Sequence, residues 1–211
     1  MRTRRDLLRR DGRSLASETM TDATDEDLMM RIGTGDRVAF GELVRRHLNR
    51  AVAVAQRVTG SRSDAEEIAQ EAFLRVWTKA PHWRGGEGEF RGARFTTWLY
   101  RVVVNLGIDR RRRPAMSALE AAGDPADPAD SALHSLEKAQ LSGRVADAVA
   151  TLPERQRAAL TLCFYEGLSN REAADILALS PGAVESLLVR ARRSLREALA
   201  GVAAEFLEVS P

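Results

Sequence analysis

A helical segment near the middle of the chain carries a stripe of polar side chains along one face and a cluster of arginines at its end. Thr97, Arg101, Asn105 and Asp109 recur every four residues, and the four consecutive arginines 110–113 come next. Guanidinium groups bind phosphates, whereas amide and hydroxyl groups hydrogen-bond to base edges. A solvated helix end rarely carries four adjacent arginines, so the stripe predicts contact with a nucleic-acid backbone.

Two aromatic residues accompany this stripe. Trp98 and Tyr100 are of the type that stacks on unpaired bases. Trp98 also belongs to the apolar stripe of the same segment, so we assign it to the core. For Tyr100 the sequence leaves both interpretations open, stacking on an unpaired base or packing in the core.

A second arginine-bearing segment lies near the C-terminus. Ser169 and Glu172 form a capping-box pattern that opens a short helix, and Ser180 with Pro181 opens the next one. An apolar stripe from Val184 marks the buried side of this second helix. The opposite side carries Glu185, Ser186, Val189, Arg190, Arg192 and Arg193. This pattern is typical of a helix-turn-helix that reads the DNA major groove; an αα-hairpin with a solvated basic face is the alternative.

An acidic helix face precedes both arginine segments. Its polar residues are Asp64, Glu67, Gln70 and Glu71, and Leu74 is an apolar residue among them. An apolar side chain inside an acidic rim suits a protein partner. A solvated acidic face is the alternative that the pattern leaves open.

The elements that must position these residues are all helical. Helical periodicity runs over 25–113 and resumes from 133 to 200, and β-type alternation is absent. The proline- and alanine-rich stretch 114–132 predicts a flexible linker. Residues 1–24 predict a disordered extension and 201–211 a tail. We therefore expect an all-α chain of two small helical domains joined by a tether.

Charge is distributed unevenly along the chain, although the net charge is only +2. Thirty of the 32 basic residues are arginine. Residues 84–113 hold eight arginines against three acids, whereas 114–153 hold six acids against two basic residues. This division predicts one surface for a polyanion and a neighbouring segment that avoids it.

Several function classes lack their sequence signals. No apolar run is long enough for a membrane span, and no apolar signal core follows the N-terminus. The single cysteine, Cys163, fits a reducing compartment, so we expect a cytoplasmic protein with a structural thiol. The three histidines are scattered without metal-ligand spacing, and no phosphate-cradling loop occurs. We expect no catalytic residue, no metal and no cofactor.

Residues 64–77, together with 95–102 and Asn105, resemble region 2 of bacterial RNA polymerase sigma factors. Residues 152–199 resemble their region 4, and nothing between them resembles region 3. This two-domain arrangement resembles the extracytoplasmic-function (ECF) group of the sigma-70 family. Two departures stand out: Glu185 and Leu187 occupy positions where many members carry a basic pair, and the loop at 84–89 is unusually rich in glycine.

The resemblance implies that the chain is a transcription initiation factor rather than an enzyme. It implies core RNA polymerase, with its β′ and β subunits, as a partner. The implied polymerase-binding residues are Asp64, Glu67, Gln70, Glu71 and Leu74, on the acidic helix that would bind the β′ coiled coil. It implies minus-ten DNA contacts and promoter melting by Thr97, Arg101, Asn105, Asp109, Arg110 and Arg112. It implies minus-thirty-five contacts by Ser180, Pro181, Gly182, Glu185, Ser186, Val189, Arg190 and Arg193. An anti-sigma factor is a further implied partner.

Two other functions remain as alternatives. A helix-turn-helix regulator without polymerase-binding activity would use palindromic sites as a dimer. A pure interaction protein would leave the arginine stripe without a role.

Overall fold

The computed structural model of the chain describes residues 22–83, 94–112 and 142–208. Over these ranges the chain forms eight α-helices and no strand, which confirms the predicted all-α class. The helices are α1 (Asp25–Gly33), α2 (Arg37–Thr59), α3 (Arg62–Lys79), α4 (Phe95–Arg112), α5 (142–150), α6 (Glu154–Leu160), α7 (Asn170–Leu177) and α8 (Pro181–Glu208). A 3-10 turn, Ala80–His82, follows α3, and a π-helical turn, Thr161–Tyr165, extends α6.

Some sequence-based expectations fall beyond these ranges. The predicted extension up to residue 21, the glycine-rich loop at 84–93 and the linker within 113–141 lie outside the described residues. The helix expected from 133 is described from 142. Helix α8 continues to Glu208, eight residues past the domain boundary expected at 200. Within the ranges given above, no helix combines the length and the apolar character that crossing a bilayer requires.

The chain divides into two compact units, and α2, α3 and α4 each contribute to both. Of the described residues, the first unit comprises 22–49, 71–83 and 94–99, and the second comprises 50–70, 100–112 and 142–208. In the first, Thr24 and Asp27 form a capping box that starts α1. Glu26 then accepts a hydrogen bond from the backbone N–H of Phe95 at 3.0 Å, which fixes the start of α4.

Buried aromatic rings fill the first unit. Trp83, Phe95 and Trp98 form a cluster with ring centroids 6.3 Å apart, and all three are buried. The assignment of Trp98 to the core is therefore confirmed. A methyl group on Gly33 would lie 2.7 Å from the carbonyl oxygen of Ala80, so this close approach requires glycine.

A half-buried carboxylate in the first unit, that of Glu42, has a strongly lowered pKa. Glu42 accepts hydrogen bonds from Arg45 at 2.7 and 2.8 Å and from Arg46 at 2.8 Å. These bonds lower the pKa of Glu42 from 4.5 to about 2. Arg46 also reaches Asp25 at 3.2 Å, which ties α2 to α1.

In the second unit, the C-terminal helices pack on a small apolar core. Val149, Leu152, Leu160 and Ala191 form its buried cluster, with Val145 and Leu195 against it. The predicted capping box is present, because Ser169 Oγ accepts from the Glu172 N–H at 3.2 Å and Glu172 accepts from Ser169. The turn between α7 and α8 passes through Ala178, whose φ of 52° is left-handed. This geometry is the predicted helix-turn-helix.

Candidate nucleic-acid and protein-binding surfaces

Helix α4 carries the polar stripe that the sequence predicts. Asn105 and Asp109 are exposed, whereas Thr97 and Arg101 are half-buried. Arg112 is the last residue of the helix. Tyr100 is buried, and desolvation together with a hydrogen bond to Glu166 raises the pKa of its hydroxyl. The possibility that Tyr100 stacks on bases therefore has no support in this conformation.

Arg110, predicted to contact minus-ten DNA, is hydrogen-bonded to the face of α3 that is predicted to bind polymerase. Its Nε atom donates to Asp64 at 2.9 Å and its Nη2 atom donates to Glu67 at 2.5 Å. All three side chains are substantially exposed, so the pair adds little stability, but it orients the guanidinium group. A residue predicted to contact DNA is thus held by two residues predicted to bind polymerase.

The remaining acidic face of α3 is open. Gln70 is exposed, and Glu71 accepts from Arg75 one turn further on at 2.9 Å. Leu74 leaves 56% of its surface exposed, whereas Ala72, Phe73 and Val76 beside it are buried. Leu74 is thus an exposed leucine on a helix whose other aliphatic residues are buried, and a protein partner can cover such a residue.

Helix α8 presents the predicted DNA-facing residues outward. Ser180 caps the helix through the N–H of Ala183 at 3.2 Å, and Pro181 takes its first position. Beyond Gly182, the predicted residues Glu185, Ser186, Val189, Arg190, Arg192 and Arg193 are all exposed, whereas Val184, Leu188 and Ala191 are buried as predicted.

Two of the arginines on this face, Arg190 and Arg193, differ in the contacts that they make. Arg190 Nε donates to the carbonyl of Ser186 at 3.1 Å, and the residue is exposed. Arg193 makes a 3.9 Å contact with Glu197, and both side chains are 72% exposed. A contact this long and this exposed costs little to break when a phosphate approaches.

A polar cluster that the sequence analysis missed surrounds Glu166. Its side chain is only 4% exposed and accepts from Arg50 Nε at 2.5 Å and from the Tyr100 hydroxyl at 2.9 Å. Arg57 lies 3.8 Å from the same carboxylate and 4.4 Å from the centre of the Tyr165 ring. These partners lie at least 66 positions away along the chain, so no local pattern indicates them.

A shallow cleft borders the α4 stripe. Its volume is about 300 Å³, and it is lined by Asn105, Ile108, Asp109, Arg155, Leu177 and Leu179. Next to it, Arg101 Nη2 donates to the backbone carbonyl of Asp175 at 2.9 Å. That carbonyl lies in the last turn of α7, where backbone carbonyl groups have no hydrogen-bond donor within the helix.

Cys163 is half-buried, with its Sγ atom 3.7 Å from Asn170 Oδ1. Desolvation raises the pKa of its thiol, which disfavours the reactive thiolate. No group of three histidine, cysteine or acidic residues in the described part of the chain is arranged to hold a metal ion.

Comparison with known proteins matches both halves of the chain. Residues 43–115 match sigma-70 region 2, and residues 142–195 match sigma-70, region 4. RNA polymerase sigma-H factor of Pseudomonas aeruginosa is 30% identical over 85% of this chain and 96% of its own. ECF RNA polymerase sigma-E factor of Escherichia coli is 32% identical over 82% of this chain and 92% of its own.

A solved structure shares the fold. The sigma factor RpoE of Bartonella quintana, crystallised with the anti-sigma factor NepR, superimposes with a TM-score of 0.59 at 22% identity, over 76% of this chain and 96% of that chain. The sequence matches establish more than the fold, because they extend over nearly the whole length of the relatives. The chain belongs to the ECF group of the sigma-70 family, whose members are non-catalytic transcription initiation factors.

Proposed function

We propose that this chain directs core RNA polymerase to promoters by reading a minus-thirty-five element with α8 and a minus-ten element with α4. The observation that carries the proposal is the helix-turn-helix with an outward face bearing Arg190 and Arg193. In this motif the second helix enters the major groove with its N-terminal residues against base edges.

The composition of the α8 face sets its base preference. Arg190 suits the O6 and N7 acceptors of guanine, and the methyl groups of Val189 suit a thymine methyl. Glu185 accepts hydrogen bonds, and the exocyclic amine of cytosine is the donor that a carboxylate reads. The acidic residue therefore selects a base instead of merely weakening phosphate contact.

Helix α4 and the loop before it serve the minus-ten element in this proposal. Asn105 and Asp109 are exposed side chains that hydrogen-bond to bases in this proposal. Arg110 and Arg112 come next in the sequence and contact phosphates in the same proposal. Thr97 and Arg101 complete the stripe at its N-terminal side. Extruding a base from the duplex costs a few kcal/mol, which contacts with the unstacked strand must offset.

Core polymerase binds the acidic face of α3 in this proposal. Asp64, Glu67, Gln70 and Glu71 supply charge for association, and Leu74 supplies the apolar contact. Coupling of Arg110 to Asp64 and Glu67 links this surface to the DNA stripe. An anti-sigma factor, of the kind bound by RpoE of Bartonella quintana, is a further proposed partner, and the cytoplasm is the proposed site of action.

Promoter-selective transcription in vitro tests the proposal. Core polymerase is incubated with the purified chain and a library of genomic fragments, and the transcript starts are sequenced. We expect starts preceded by two shared motifs at the minus-ten and minus-thirty-five distances, absent with core enzyme alone.

A helix-turn-helix regulator gives a different result in the same assay. It binds DNA as a dimer without polymerase and represses transcription instead of starting it. Transcript starts that match those of core enzyme alone would refute the proposed function.

A further inference from the structure

The guanidinium group of Arg110, in the last turn of α4, bridges two carboxylates of α3. Its Nε atom donates to Asp64 and its Nη2 atom donates to Glu67, at 2.9 and 2.5 Å. Asp64 and Glu67 are three residues apart, so they lie on the same face of α3. Nε and Nη2 form one edge of the guanidinium group, and such an edge matches the paired oxygens of a carboxylate or a phosphate. In the free chain this edge is therefore occupied.

The two other acidic residues of α3 pair within the helix itself. Glu66 accepts a hydrogen bond from Arg62 at 3.1 Å, and the two are four residues apart. Glu71 accepts from Arg75 at 2.9 Å, at the same spacing. The bridge made by Arg110 instead spans 43 and 46 positions and joins α3 to the helix that carries the proposed DNA stripe.

The Arg110 bridge is accessible to a competing charge. The exposed fraction is 39% for the Arg110 side chain, 32% for Asp64 and 55% for Glu67. Ion pairs this exposed contribute little to stability, so a basic side chain of a protein partner can replace Arg110 at small cost. Arginine keeps its charge throughout the physiological pH range, so the displaced guanidinium group remains a ligand for phosphate.

We infer that Arg110 is an internal competitor for the polymerase-binding face. Basic side chains of core polymerase displace it from Asp64 and Glu67, and the displaced guanidinium group then contacts a promoter phosphate. This inference rests on the proposed function, which assigns the acidic face to polymerase and Arg110 to DNA. The exchange conserves ion pairs, because the carboxylates replace an internal cation with an external one. Polymerase binding and phosphate binding by Arg110 therefore favour each other.

Removal of Arg110 should strengthen binding to core polymerase. Arg110→Ala exposes both carboxylates to the partner, so its affinity in a competition titration against labelled parent chain should rise roughly threefold. Arg111→Ala is the charge-matched control, because Arg111 is exposed and its Nη1 atom donates to the Thr59 carbonyl at 3.4 Å. The affinity of Arg111→Ala should stay near that of the parent. An affinity of Arg110→Ala that does not exceed that of Arg111→Ala overturns the competition.

A combined variant shows whether the gain comes from the two carboxylates. Glu67→Gln and Asp64→Asn keep the shapes of the side chains and remove their charges. In this double background Arg110→Ala should no longer raise the affinity, because no carboxylate is left to expose. We expect the helical content and the midpoint of thermal unfolding to stay near the parent values, since all three side chains are partly exposed. A gain that persists in the double background overturns the assignment to these carboxylates.

The salt dependence of DNA binding tests whether polymerase releases Arg110. A labelled single-stranded oligonucleotide, carrying the minus-ten motif recovered from the transcript starts, is titrated with free chain and with holoenzyme at several salt concentrations. In holoenzyme, Arg110→Ala should reduce the slope of log affinity against log salt concentration by about 0.7, the value for one phosphate contact on a single strand. In the free chain the slope should not change, because α3 holds the guanidinium group.

Two results of the salt titration overturn the release of Arg110. One is an equal reduction of the slope in free chain and holoenzyme, and the other is an unchanged slope in holoenzyme. Absence of promoter-specific starts with the parent chain instead refutes the proposed function, whatever the affinities of the Arg110 variants show.

Discussion

Truncation of Leu74 gives the sharpest test of the polymerase-binding surface. Leu74 keeps 56% of its surface exposed on α3, so somewhat more than half of its side chain is available for a partner to cover. Full burial of a leucine contributes about 1.5–3 kcal/mol, so the exposed part contributes about 1–1.5 kcal/mol on binding. Leu74→Ala should therefore weaken binding to core polymerase roughly five- to tenfold.

The measurement is a competition titration of labelled chain against core polymerase at fixed ionic strength. Alanine is a better helix former than leucine, so α3 should keep its helicity and the midpoint of thermal unfolding should stay near wild type. Leu48→Ala on α2, with 37% of the leucine exposed, is the matched control and should leave the affinity unchanged. An affinity of Leu74→Ala within twofold of wild type, or an equal loss in Leu48→Ala, would refute the assigned surface.

Three further predictions concern stability and DNA contact. Gly33→Ala should lower the free energy of unfolding by about 1–3 kcal/mol, because the added methyl meets a backbone oxygen at 2.7 Å that cannot rotate away. Gly41→Ala, with nothing within 4 Å, should raise it by about 0.5–1 kcal/mol in urea titrations, and the reverse order would contradict the close approach. The folded-state pKa of Glu42 lies below its ordinary value, so its stabilisation is present above pH 4.5 and is lost as the pH falls toward about 2. Glu42→Gln should therefore lose less stability than wild type between pH 5 and pH 2; identical losses would contradict the shift. Arg190→Ala should weaken holoenzyme binding to promoter DNA and reduce the slope of log affinity against log salt concentration by about one. Arg196, which is exposed further along the same helix, provides the control, and Arg196→Ala should change neither the affinity nor the slope.

Local signals in the sequence were sufficient for the existence of the helices and for the starts of α7 and α8. The capping box at Ser169 and Glu172 and the proline at the start of α8 are interactions between near neighbours, and the structure contains both. The apolar stripe of α8 gave its buried side because helical periodicity fixes which residues share a face. The assignment of Trp98 to the core followed from the same rule, and it is confirmed.

Contacts between distant segments could not be predicted in this way. The sequence pattern placed Asp64 and Glu67 on an acidic face with no indication of a partner. In the structure both accept hydrogen bonds from Arg110, which lies 46 positions from Asp64 and 43 from Glu67. Tyr100 could not be assigned from its position on α4, because the buried ring donates its hydroxyl hydrogen bond to Glu166, 66 positions away along the chain. Such pairs leave no periodic trace in the sequence.

The sequence by itself therefore determined the all-α class, the helix-turn-helix and the family, because these depend on spacing and capping within short segments. Only the tertiary structure decided which charged side chains stand free and which are engaged. The arginines of α8 face outward, whereas Arg101 and Arg110 of α4 already hold partners. The physical reason is that an ion pair depends on where folding places two remote side chains, and their individual positions in the sequence do not record it.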